Sequence, residues 1–79
     1  MYKLRLMNSS GRYEDFILEG PTKIEDILSE HADILAGTQF NLNGAFLSPD
    51  QYTKTLAELG CSADRTNVIA SLKAANGAA

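Results

Sequence analysis

Apolar and polar positions alternate at both ends of this chain and take up helical spacing between them. Tyr2-Lys3-Leu4-Arg5-Leu6 has period two, with Tyr2, Leu4 and Leu6 on one face and Lys3, Arg5 and Met7 on the other, which predicts a half-buried strand. Asn8-Ser9-Ser10-Gly11 is a turn signal, because these short polar side chains compete for backbone hydrogen bonds and Gly11 tolerates positive φ. A second strand is expected from about Arg12 to Glu19, with Phe16 and Leu18 inward, forming an antiparallel hairpin with the first. After Gly20-Pro21, Thr22-Lys23-Ile24-Glu25 fits a capping box, and Ile24, Ile27, Leu28 and Leu35 follow helical spacing with His31 and Ile34 nearby. The spacing predicts a helix over Lys23 to Ala36, with Gly37 as the left-handed residue that ends it.

Phe40-Asn41-Leu42 and Ala45-Phe46-Leu47 flank Asn43-Gly44, the residue pair of a type I′ hairpin turn. Ser48-Pro49-Asp50-Gln51 has capping-box chemistry with proline at the first helical position, and Thr55 to Gly60 reads as a short helical turn stopped by glycine. Asn67 to Lys73 alternates as a last strand, and its wholly apolar row, Val68, Ala70 and Leu72, is expected to face the core. Ile69, Ser71 and Lys73 then point away. The order is ββ, α, ββ, short helix, β. A single α+β domain over 1–73 follows, in which one helix covers a mixed sheet of four or five strands and the first and last strands lie side by side in parallel. The expected core is Leu4, Leu6, Phe16, Leu18, Ile24, Ile27, Leu28, Leu35, Phe40, Leu42, Leu47, Leu56, Leu59, Val68 and Leu72. Residues 74–79 have too little apolar bulk to hold themselves down and are expected to form a flexible tail.

Composition narrows the classes. The 79 residues are 44% apolar and 22% charged, ordinary for a globular domain. No run approaches the about 20 apolar residues of a membrane span, and the alternating N-terminus lacks the apolar block of a signal peptide, so a cytoplasmic location is expected. A single cysteine, Cys61, excludes an internal disulfide, and with one histidine, His31, there are too few ligands for a typical His/Cys metal site. A net charge of −3 without a basic cluster disfavours nucleic acid.

The order of elements and three local signatures resemble the ubiquitin-like (β-grasp) superfamily over nearly the whole chain. Thr22-Lys23-Ile24-Glu25-Asp26-Ile27 is similar to the start of the family's grasped helix, Leu42-Asn43-Gly44-Ala45-Phe46-Leu47 to the hairpin after it, and Thr55-Leu56-Ala57-Glu58-Leu59-Gly60 to the turn before its final strand. The resemblance implies a two-layer β-grasp fold. It is in kind a resemblance to small bacterial-type ubiquitin-like and sulfur-carrier-like proteins, and it implies that the open sheet face binds a partner. Modifiers and sulfur carriers of the family end in Gly-Gly, a thin tail that threads into an activating enzyme. Here the end reads Asn76-Gly77-Ala78-Ala79, which departs from that pattern. A carrier or modifier activated at this tail, after trimming, is the alternative reading.

Few residues are arranged for chemistry. Cys61 has Arg65 as its only nearby cation and no general base close in sequence, and His31 lies at the edge of the helical apolar stripe. Glu25 and Asp26 suit the helix N-terminus through its dipole, while Glu30 and Asp33 solubilise the outer face. No catalytic group, metal site or cofactor is therefore expected. By the parities above, Lys3, Arg5 and Met7 share the open sheet face with Ile69, Ser71 and Lys73, a mildly basic surface with two apolar anchors. The sequence reads as a monomeric, non-catalytic adaptor or accessory subunit that docks a protein partner through that face.

Overall fold

The computed structural model describes residues 1–35, 37 and 39–72. Strand β1 (Tyr2–Met7) turns through Asn8–Arg12 into antiparallel β2 (Tyr13–Leu18). The turn is held by Asn8, whose Oδ1 accepts from the amides of Ser10 and Arg12, each at 3.0 Å, while Gly11 takes a φ of +94°. Helix α1 (Ile24–Glu30) follows, then β3 (Gln39–Leu42), β4 (Ala45–Leu47), a 3-10 turn (Pro49–Gln51) and β5 (Thr66–Leu72). The five strands form one sheet in the order β2-β1-β5-β3-β4, with β1 and β5 parallel at its centre, as expected.

Helix α1 is shorter than the expected span from Lys23 to Ala36. It has seven residues and no basic side chain in its last turn, where Glu30 meets the negative end of the dipole. From His31 the chain continues as turns, with the His31 carbonyl accepting from both Ile34 and Leu35 amides, and this still carries Leu35 into the core at 1% exposure. The Thr22–Glu25 capping box does not form either. The Ile24 amide donates to the Lys54 carbonyl at 3.0 Å and the Glu25 amide to the Tyr52 carbonyl at 2.8 Å, so backbone from the 52–54 segment satisfies donors that a side chain was expected to cap. Gly37 is not in the left-handed region. A Cβ there would collide with Ser71 Oγ, so the missing side chain serves a close approach to β5.

Other local expectations match. Asn43 (φ 52°) and Gly44 (φ 88°) make the two-residue hairpin turn. Gln51 Oε1 accepts from the Ser48 amide at 3.0 Å. Thr55 to Gly60 is a single turn: Gly60, at φ 79°, donates to the Ala57 carbonyl and Cys61 to the Leu56 carbonyl, the paired bonds of a Schellman stop.

The core lies between the helix and the sheet and consists of Leu4, Leu6, Ile24, Ile27, Leu35, Phe40, Leu42, Leu47, Leu56 and Ile69. Phe16, Leu18, Leu28, Leu59 and Cys61 pack half-buried around it. Strand β5 enters with the opposite parity to that expected. Asn67, Ile69 and Ser71 face the helix, while Val68, Ala70 and Leu72 lie half-buried on the other side of the sheet. Both neighbours fix this register, since Ile69 stands level with Leu6 on β1 and Leu42 on β3. Val68 and Leu72 therefore leave the core list and Ile69, fully buried, joins it. A slip of one residue turns every side chain of a strand to the other face.

Candidate functional site: the open face of the sheet

The face away from the helix is assembled from alternate residues of all five strands. In register across β2, β1 and β5 it runs Ile17–Lys3–Thr66, then Asp15–Arg5–Val68, then Tyr13–Met7–Ala70, and the last row continues through Asn41 on β3 to Phe46 on β4. Leu72 sits beside Gln39 at the end of β5. Tyr13, Ile17 and Phe46 are each more than half exposed, and Met7, Val68, Ala70 and Leu72 are half-buried. The result is a broken apolar band from one edge of the sheet to the other, made of side chains with no second layer above them among the described residues.

Arg5 is committed within this face. Its Nε donates to Asp15 Oδ1 at 2.8 Å and its Nη2 to Oδ2 at 3.2 Å, and its guanidinium lies 4.1 Å from the centre of the Tyr13 ring. The Asp15 hydrogen bonds raise the Arg5 pKa, and the same bonds lower that of the Asp15 carboxyl. The expected basic character is thus half cancelled, leaving Lys3 as the cation of the face without an ion pair among the described residues.

Of the residues picked from sequence, Lys3, Arg5 and Met7 lie on the open face as expected. Ile69 and Ser71 do not. They are 0% and 4% exposed on the helix side, because β5 has the reverse parity, so neither can meet a partner there. Lys73 and the tail residues Asn76, Gly77, Ala78 and Ala79 lie outside the described residues. The residues that replace them are Val68, Ala70 and Leu72, joined by Tyr13, Ile17 and Phe46. The alternation of β2 already held Tyr13 and Ile17, since Phe16 and Leu18 were assigned inward.

Elsewhere the chemistry is quiet. The His31 ring packs against Phe16 with centroids 4.3 Å apart and the ring planes tilted by 44°. Cys61 packs against the core, and burial pushes its thiol pKa up, which lowers the thiolate population a nucleophile needs. No cluster of three His, Cys, Asp or Glu side chains able to hold a metal occurs among the described residues. Among them no helix is long and apolar enough to cross a membrane.

The layer order, the parallel central pair and the helix packed on one face define a ubiquitin-like β-grasp fold. A solved structure with the same fold is the NMR solution structure of a computationally designed protein based on the template of human erythrocytic ubiquitin. It superposes with a TM-score of 0.60 at 22% identity, over 100% of this chain and 99% of that one. No protein-family model and no curated protein matches the sequence.

Proposed function

We propose that this chain is a non-catalytic ubiquitin-like protein–protein interaction module, an adaptor or accessory subunit, that docks a protein partner through the open face of its sheet. The observation that carries this is the apolar band of Met7, Val68, Ala70 and Leu72, flanked by the exposed Tyr13, Ile17 and Phe46. Apolar surface gathered on one face is characteristic of interaction sites, whereas singly scattered apolar residues are not. The Arg5–Asp15 pair, in the row between Ile17 and Tyr13, and Lys3 supply polar groups within the face that orient approach more than they add affinity.

The test is a double variant, Val68→Glu with Leu72→Glu, compared with the parent chain by cross-linking and affinity capture from the native host. Both substitutions leave the helix-side core untouched, so circular dichroism and the cooperative melt should persist. We expect the variant to lose the cross-linked partner that the parent recovers. Equal recovery by a folded variant would remove the open face as the docking surface.

A further inference from the structure

The two edges of the sheet are protected very differently. Strand β2, at one edge, is flanked and interrupted by charge: Arg12, Glu14, Asp15 and Glu19. Such charges discourage another strand from pairing. Strand β4, at the other edge, lies in a stretch from Ile34 to Pro49 that contains no charged residue. Its hairpin turn has two residues, so the flanking pair Leu42–Ala45 is hydrogen-bonded across the ladder and the next pair, Asn41–Phe46, is not. The Phe46 N–H and C=O therefore point away from β3, and no hydrogen bond from outside the ladder reaches β4 among the described residues. Beside this edge is a concavity of about 290 Å³ with a mixed polar and apolar lining that includes Leu42, Asn43, Ala45, Phe46, Gln51 and Leu59.

We propose that β4 is a strand-addition site that takes an extended, uncharged segment of a partner. That segment pairs with the Phe46 amide and carbonyl and places one branched aliphatic side chain in the concavity beside Ala45. The occupant is neutral because the edge and its flanks offer no opposite charge, so a charged residue entering there would lose water without compensation. It is a peptide strand of another protein, not a second copy, because β4 is only three residues long and a symmetric pairing through Phe46 covers far less than the roughly 1,000 Å² a stable interface needs. The pocket beside the strand supplies the anchoring that two backbone hydrogen bonds cannot.

The probe is the capped peptide acetyl-Thr-Val-Leu-Val-Thr-amide, titrated into ¹⁵N-labelled full-length chain. We expect amide shifts at Ala45, Phe46, Leu59 and Gly60, and affinity at least about tenfold weaker for the analogue with glutamate in place of the central leucine. Phe46→Pro removes the outward N–H without breaking the ladder and should abolish binding, while Phe46→Ala, which keeps that N–H but trims a side chain lining the concavity, should weaken binding without abolishing it. Val68→Glu with Leu72→Glu should bind the peptide normally, which separates this edge from the open face. Binding that survives Phe46→Pro, or no shifts at millimolar peptide, would overturn the proposal. Shifts at Phe46 that grow with protein concentration alone would overturn it in favour of self-pairing.

Discussion

Asn67 does the most structural work of any single polar residue described. At 1% exposure it donates to the carbonyls of Ser62 at 2.8 Å and Lys3 at 3.2 Å and accepts from the Ser62 amide and the Asn43 side chain, both at 3.1 Å. It thereby ties the 62–66 loop, the first strand and the second hairpin turn to one point. Asn43 completes the arrangement by accepting from the Val68 amide at 2.8 Å while donating its own amide to the Val68 carbonyl. Replacing Asn67 leaves several buried groups without partners, and unsatisfied groups cost about 1–3 kcal/mol each. We expect Asn67→Ala to lower stability in urea by about 2–4 kcal/mol, and Asn67→Asp to cost at least as much at neutral pH, because it turns a buried carboxylate oxygen toward the carbonyls that Nδ2 donates to. A loss below about 0.5 kcal/mol would show that the network is dispensable.

At the scale of elements, the 48–61 segment replaces what the Thr22–Glu25 capping box was expected to supply. Its backbone meets the helix N-terminus, and an isolated bridge joins Thr55 to Lys23. The segment is itself pinned by Glu58, whose Oε1 accepts from the Thr55 amide at 2.9 Å while Thr55 Oγ1 accepts from the Glu58 amide at 3.1 Å. The Thr55 amide bond holds the Glu58 carboxyl below its ordinary pKa, as the Ser48 hydroxyl does for Asp50 and Arg5 does for Asp15. A carboxyl depressed in the folded state stabilises the fold above its unfolded pKa, and that contribution is lost as pH falls through the folded value. Stability should therefore decline below the ordinary carboxylate range. Glu58→Gln, which keeps the accepting oxygen but cannot be protonated, should flatten that decline while altering neutral-pH stability little. Urea midpoints taken from about pH 6 down to about pH 2 would show it, and parallel curves for the two proteins would contradict it.

For the molecule as a whole, the order of elements along the chain and the parallel pairing of the first and last strands were legible because local signals in the sequence were consistent: alternation in β1 and β2, Asn43-Gly44 at the turn, and glycine after Leu59. The early end of α1 was not, because from His31 the chain passes into turns in which the His31 carbonyl accepts from both the Ile34 and Leu35 amides. The facing of β5 was not legible either. Its row Asn67, Ile69, Ser71 looks more polar than Val68, Ala70, Leu72, and hydrophobicity alone sends the latter inward. What reverses the choice is long-range. Asn67 finds a carbonyl on Lys3, and Gly37 leaves room beside Ser71. The same reversal moved two of the six expected docking residues, Ile69 and Ser71, to the buried side of the sheet and placed a more apolar set on the open face.

That facing is the claim on which the docking surface rests, and two adjacent substitutions test it. We predict that Ile69→Asp, which buries a carboxylate against Leu6 and Leu42, costs more than about 4 kcal/mol and leaves the chain largely unfolded. Val68→Asp, on the open face beside Arg5, should cost only about 1 kcal/mol. Urea unfolding of the two variants side by side gives the answer, and a folded Ile69→Asp with an unfolded Val68→Asp would contradict the account.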